Sequence, residues 1–290
     1  MSIFTSLKNL FVSQKLDVAR RFRLEREAIS GTMSRFYLAR EYATDRLYGL
    51  KIVDMKKLAE VESRFKGMNK PTEGEIAVLF HHPYIVRTLE AGETTRGERY
   101  LLMEYLGGGG LNTALIDRPE ALEPKMLDYM RQMAAALLAV HEAGFIHRDI
   151  CPRNYIFTED LKTIKLTDFG LAVPARPPFT NPGNRTGTPN YMAPELARRK
   201  PTDTRLDVFS YGVTIYEMLT GKLPWPVGLD GRAALTHDTE PVDIKTVRPK
   251  IQPRLAAAIH QCIHPDVNER FPSLQAFLDR ITLLKTVDAE

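Results

Sequence analysis

Two aspartates and one asparagine in the middle of the chain are spaced for work on a phosphate. His147-Arg148-Asp149-Ile150-Cys151-Pro152-Arg153-Asn154 is followed, fourteen residues after Asn154, by Asp168-Phe169-Gly170. Both groups read as turns between short apolar runs. Such a set suits phosphoryl transfer. One aspartate can accept a hydroxyl proton, while the asparagine and the other aspartate can hold the magnesium ions that bridge ATP phosphates. A three-letter match alone carries little weight, but here both signatures come in order, with Ala193-Pro194-Glu195 after them.

On these motifs the chain resembles a eukaryotic-type protein kinase, over roughly residues 22–285. The resemblance implies an α+β, bilobal protein kinase fold, with a small β-rich N-lobe holding one main helix and a larger, mostly helical C-lobe. It divides the sequence into an N-terminal extension, 1–21, and a kinase domain, 22–290, with lobes at about 22–105 and 107–286.

The elements that must position the chemistry begin with β-rich segments at 22–53. Between Phe22-Arg23-Leu24-Glu25 and Phe36-Tyr37-Leu38-Ala39 lies Ile29-Ser30-Gly31-Thr32-Met33-Ser34, where the family has its glycine-rich, phosphate-covering loop. Glycine lets a backbone lie close to phosphates. Gly31 holds the middle position, and Ile29 and Ser34 stand where the outer glycines would be. Tyr48-Gly49-Leu50-Lys51-Ile52-Val53 resembles the strand of the ATP-phosphate lysine, Lys51, whose apolar flanks turn it inward. The next helix offers Glu73 and Glu75 as its carboxylate partner, and the family register counted back from His82-Pro83 selects Glu73. Tyr100 to Leu106 resembles the segment whose backbone at Glu104 and Leu106 binds adenine, with Met103 as gatekeeper. Gly107 to Gly110 then read as a flexible joint.

The apolar spacing at Met126, Tyr129, Met130, Met133, Leu137 and Val140 predicts a core helix. From Asp168 to Glu195 the chain matches the family's activation segment, whose proline and glycine content predicts a mobile loop without regular elements. Gly187-Thr188-Pro189-Asn190-Tyr191-Met192 has the serine/threonine form of the substrate-docking loop. Arg148 beside Asp149 implies control by a phosphate on that loop, with Thr180, Thr186 and Thr188 as candidates, of which Thr188 is expected instead to have a structural role near Asp149. Asp207 is implied to bond the loop backbone, and Arg270 to pair with Glu195. His260, Cys262 and His264 have a metal-like spacing, but residues two apart do not share a helix face.

Composition limits the rest. Net charge is +4 over 290 residues, so no general binding of nucleic acid follows. Two cysteines make no disulfide framework and point to a reducing, cytoplasmic setting. There is no apolar run of membrane-spanning length and no secretory signal pattern. Ile3, Phe4, Leu7, Leu10 and Phe11 recur at helical spacing, as a helix packed on the small lobe or one that contacts a partner or membrane surface.

The implied activity is ATP- and Mg2+-dependent transfer of phosphate to Ser and Thr of protein substrates. Lys51 and Glu73 orient the phosphates, Asn154 and Asp168 hold the metal, and Asp149 aligns the acceptor hydroxyl. Serine/threonine kinases carry a catalytic-loop lysine where this chain has Cys151, and Arg153 is the cation that could replace it. The alternatives are a pseudokinase, acting as a nucleotide-binding or scaffold module, and a small-molecule phosphotransferase. The docking loop speaks against the latter.

Overall fold

The computed structural model describes residues 14–31, 34–183, 185–226, 237 and 239–289. The chain forms two compact units, Met1–Gly107 and Gly108–Glu290. The architecture is α+β, with a five-stranded sheet in the first unit and mostly helices in the second.

The sheet is antiparallel throughout, in the order β1-β2-β3-β5-β4. Its strands are β1 (Phe22–Gly31), β2 (Ser34–Glu41), β3 (Leu47–Val53), β4 (Thr88–Glu93) and β5 (Arg99–Glu104). Successive side chains of a strand alternate between faces. Leu50 and Ile52 therefore share one face, in a core with Leu16, Phe22, Ala39, Tyr100 and Leu102, and Lys51 points to the other. On its two sides Lys51 is paired with Phe36 of β2 and Leu101 of β5.

Residues 14–21 are built onto this sheet. Leu16 bridges Thr94 in parallel, its N–H donating to Glu93 O (2.8 Å) and its carbonyl accepting from Thr95 N (2.9 Å). The one-turn helix α1 (Val18–Arg21) then presents Arg21 to Glu41 and Glu90. The helical pattern expected within residues 1–15 lies, up to residue 13, outside the described residues. Beyond α1, the described residues of this unit hold two further helices. The first, α2 (Met55–Ser63), is capped by Asp54 and buries none of its residues. The second, α3 (Glu73–Ala77), is separated from it by Gly67 and Asn69, both in the left-handed region.

The second unit is organised around α6 (Met126–Glu142) and α8 (Arg205–Thr220). Residues Leu206 to Tyr216 of α8 are all buried, so the helix is enclosed on every side. It ends at Gly221, which takes the left-handed conformation usual at a helix C-terminus. The helices α4 (Leu111–Asp117), α5 (Pro119–Leu122), α7 (Pro194–Ala197), α9 (Ile244–Val247), α10 (Pro253–Cys262) and α11 (Leu274–Ile281) also belong to the unit. Two short ribbons carry the chemistry-bearing turns. One pairs β6 (Phe145–Ile146) with β9 (Val173–Pro174), the other β7 (Tyr155–Phe157) with β8 (Ile164–Leu166). The segment 168–195 thus contains a two-residue strand and the first two residues of α7, where its composition predicted no regular element. No helix among the described residues is long and apolar enough to cross a membrane.

The two units divide within the glycine run, and Gly108 to Gly110 make ordered contacts in the second. Gly108 N donates to Phe157 O (3.0 Å), Phe157 N donates to Gly109 O (2.8 Å), and Gly110 bridges Ile156. A Cβ on Gly108 would stand 2.2 Å from Thr158 O. Gly108 is therefore a close-packing residue of an ordered contact at the start of the second unit. Gly108→Ala is expected to lower stability by about 1–3 kcal/mol, the usual cost of overpacking, measured as a drop in the urea midpoint at constant slope. An unchanged midpoint would mean that the run yields freely.

Candidate functional site

The loop His147–Asn154 leaves β6 and is held from beneath by Asp207, in the first turn of α8. This carboxylate is fully buried. It accepts from His147 N (2.7 Å, Oδ2) and Arg148 N (2.8 Å, Oδ1), and His141 Nε2 lies 2.9 Å from Oδ2. Burial alone would raise its pKa, but the hydrogen bond from His141 and the contacts with His147 hold the carboxyl below its usual range. The two N–H bonds fix Arg148 at φ +70, a left-handed conformation that costs a non-glycine residue about 1–2 kcal/mol. Burial also lowers the pKa of His147, favouring the neutral ring. Its Nε2 lies 3.3 Å from Thr167 O, and its Nδ1 accepts from Asp149 N (3.4 Å), so the proton sits on Nε2.

Past this anchor the loop meets the segment that ends at Glu195. Asp149 Oδ1 accepts from both Thr188 N (2.9 Å) and Thr188 Oγ1 (2.6 Å). Gly187 sets up that meeting, at φ +139, and a Cβ there would lie 2.9 Å from Arg148 O. The Asn154 amide donates to Asp149 O (2.7 Å) and Oδ2 (3.1 Å), and Arg153 Nη2 donates to Thr188 Oγ1 (3.1 Å). Asp149, Arg153, Asn154 and Thr188 form one hydrogen-bonded group. Cys151 lies beneath it, with Sγ 3.8 Å from Thr188 Oγ1. Burial, and then the nearby Asp149, push its thiol up to about 12. Sequence reasoning did not link Arg153 to Thr188, and at a separation of 35 positions no local signal could have shown it.

Asp168 follows β8 at φ +65, and its Oδ1 accepts from Gly170 N (3.2 Å). Phe169 is buried with its ring centre 5.1 Å from that of His147. As possible magnesium ligands, Asp168 brings a carboxylate and Asn154 a carboxamide oxygen, since its nitrogen is spent on Asp149. Hard oxygen donors of this kind fit that ion.

In the first unit, Lys51 Nζ lies 2.5 Å from Glu73 Oε1, and Lys51 is 3% exposed. Glu75 is occupied elsewhere: it accepts from Thr72 N (2.7 Å) while Thr72 Oγ1 accepts from Glu75 N (3.2 Å), closing a capping box at the start of α3. Gly31 ends β1, paired with Ser34. Thr32 and Met33 of that loop lie outside the described residues. Glu104 ends β5, its Oε1 accepting from Arg87 N (2.8 Å), and Met103 before it is buried. Leu106 is half-buried beyond the strand.

The protein kinase domain family matches residues 23–280 of this sequence. The chain belongs to the protein kinase family. Among its relatives, serine/threonine-protein kinase pkn3 of Myxococcus xanthus is 30% identical over 287 residues, covering 94% of this chain and 51% of that protein. A probable serine/threonine-protein kinase of Clostridium acetobutylicum is 29% identical over 270 residues, covering 92% and 40%. The hormonally up-regulated neu tumor-associated kinase homolog of Xenopus tropicalis is 33% identical over 237 residues, covering 81% and 33%. The chain thus spans between a third and about half of the length of these three relatives.

Within this kinase domain, the segment's end is clamped by Glu195 and Arg270, a two-pronged ion pair at 2.7 and 2.8 Å with both residues buried. Of the threonines before it, Thr180 is half-buried, whereas Thr186 is 7% exposed. His260, for its part, accepts from Ile244 N through Nε2 (3.1 Å). Both cysteines are free and buried. A buried thiol whose pKa is raised this far stays protonated, and so unreactive, at pH 8. Iodoacetamide is therefore expected to leave Cys151 and Cys262 unmodified in the folded protein and to label both after unfolding, as read by mass spectrometry. Rapid labelling of Cys151 in folded protein would contradict this packing.

Proposed function

We propose that this kinase domain transfers the γ-phosphoryl group of ATP to Ser and Thr hydroxyls of protein substrates. The observation that carries this reading is the hold on Asp149, whose Oδ1 is taken by Thr188 and Oδ2 by Asn154. A carboxylate aligned in this way, beside a docking loop of the Gly187 to Met192 form, suits taking the proton from an acceptor hydroxyl. The printed names of the relatives from M. xanthus and C. acetobutylicum support the serine/threonine class.

The remaining roles follow the same reading. Lys51, steered by Glu73, orients the phosphates, while Gly31 lets the loop backbone lie near them. Glu104 and Leu106 offer backbone groups to adenine. Asp168 and Asn154 hold magnesium, whose chemistry when bound is to neutralise phosphate charge. Arg153 supplies the cation that Cys151 cannot. Two unpaired cysteines suit a reducing cytoplasm, the small net charge gives no reason for nucleic-acid binding, and the apolar pattern from Ile3 to Phe11 is a candidate partner or membrane-surface contact.

Purified protein with γ-labelled ATP and magnesium, followed by phosphoamino-acid analysis, tests this. Label is expected on Ser and Thr, with autophosphorylation at Thr180 ahead of the more deeply buried Thr186. Lys51→Met, Asp149→Asn and Asp168→Ala should each abolish transfer while the protein stays folded. Wild type giving no more label than these variants would contradict the reading and leave a binding module. Arg153→Ala should slow turnover by about 10²–10³, the cost of one preorganised charge-stabilising donor, with a much smaller change in the KM for ATP. Turnover within a few-fold of wild type would show that the site runs without that cation.

A further inference from the structure

Phe36 stands directly across from Lys51 in the pairing of β2 with β3. Such cross-strand partners put their side chains on one face of the sheet. The Lys51 ammonium lies over the face of the Phe36 ring, 5.2 Å from its centre, while Glu73 Oε1 is 2.5 Å from the same nitrogen. A buried ammonium has lost hydration, so each attractive group facing it weighs more than it would at the surface. The negative face of an aromatic ring is such a group, and an aliphatic side chain of similar volume is not. Glu73 sits near the start of a five-residue helix. A ring on the neighbouring strand adds an attractive face toward the ammonium, and the sheet register fixes its place.

We propose that Phe36 is a positioning residue for Lys51, its ring face setting where the ammonium stands when nucleotide phosphates bind. This rests on the phosphoryl-transfer reading of Lys51. It assigns a role to a side chain two residues beyond the Ile29–Ser34 loop, where Gly31 is the single glycine.

The test replaces Phe36 with 4-fluoro-, 3,5-difluoro- and 3,4,5-trifluorophenylalanine, which drain the ring face at nearly constant shape. The Kd for magnesium ATP, measured by calorimetry, is expected to rise stepwise, with Tm lower by at most a few degrees because the free protein makes the same contact. The trifluoro variant should bind about 3- to 30-fold more weakly, the span of a desolvated cation–π contact. Phe36→Leu should lie at that weak end and Phe36→Tyr near wild type. A flat or reversed series overturns the proposal. So does a loss in Phe36→Leu with no slope along the fluorines, which marks simple packing. In nucleotide-free protein, NMR should show ring-current shifts of the Lys51 ε-methylene protons that vanish in Phe36→Leu, and their absence also overturns the contact. If wild type binds no magnesium ATP, the nucleotide role of Phe36 fails with the phosphoryl-transfer reading. Retained ring-current shifts would then show that this reading failed, and not the contact.

Discussion

A carboxylate with no access to water must be hydrogen-bonded where it stands, and Asp207 meets that demand with the backbone of the functional loop. Leaving such a charge unpartnered would cost several kcal/mol. The N–H groups of His147 and Arg148 are therefore tied to the first turn of α8, itself enclosed by the core of the second unit. The tie offsets the left-handed backbone at Arg148. That backbone in turn directs the chain into Asp149, so core packing and loop geometry form one physical unit.

From that anchor the polar contacts run outward in sequence. Asp149 is gripped by Thr188 from the later segment and by Asn154 from its own loop, and Arg153 reaches the same threonine hydroxyl. The later segment is held at its far end by the ion pair of Glu195 with Arg270, where removal of one partner typically costs about 3–5 kcal/mol. The first unit solves a similar problem on a sheet. Lys51 is buried on a central strand, and register brings it a ring while a short helix brings it a carboxylate. In both units a charged group is withdrawn from water and aimed by more than one partner, the kind of preorganisation that transition-state stabilisation requires.

The sequence was most informative where chemistry is contiguous. The stretch from His147 to Gly170 could be read directly, because its loop and turn residues sit in one short segment. Spacing narrowed the partner of Lys51 to two glutamates. The Thr72-x-x-Glu75 pattern held a further clue, since a capping box commits Glu75 to its own helix end. Two long-range contacts, Asp207 with the loop backbone and Arg270 with Glu195, were legible only through the family resemblance. The pairing of Arg153 with Thr188, and of Phe36 with Lys51 across a sheet, was not legible, because it depends on tertiary register. The four glycines read as a joint because glycine permits flexibility, yet at Gly108 close approach to the end of β7 demands the same residue. Strands of two residues, such as Val173–Pro174, are too short to leave a periodic signal.

The account depends most on Asp207 as the anchor of the loop, and amide hydrogen exchange in wild type and Asp207→Asn tests this directly. The His147 and Arg148 amides should be strongly protected in wild type. In the variant they should exchange about 10- to 100-fold faster, equivalent to roughly 1.4–2.7 kcal/mol of lost local protection, while the five-stranded sheet keeps its protection and phosphoryl transfer falls. Unchanged protection of these two amides in Asp207→Asn would contradict the account, because the loop would then hold its shape without that carboxylate.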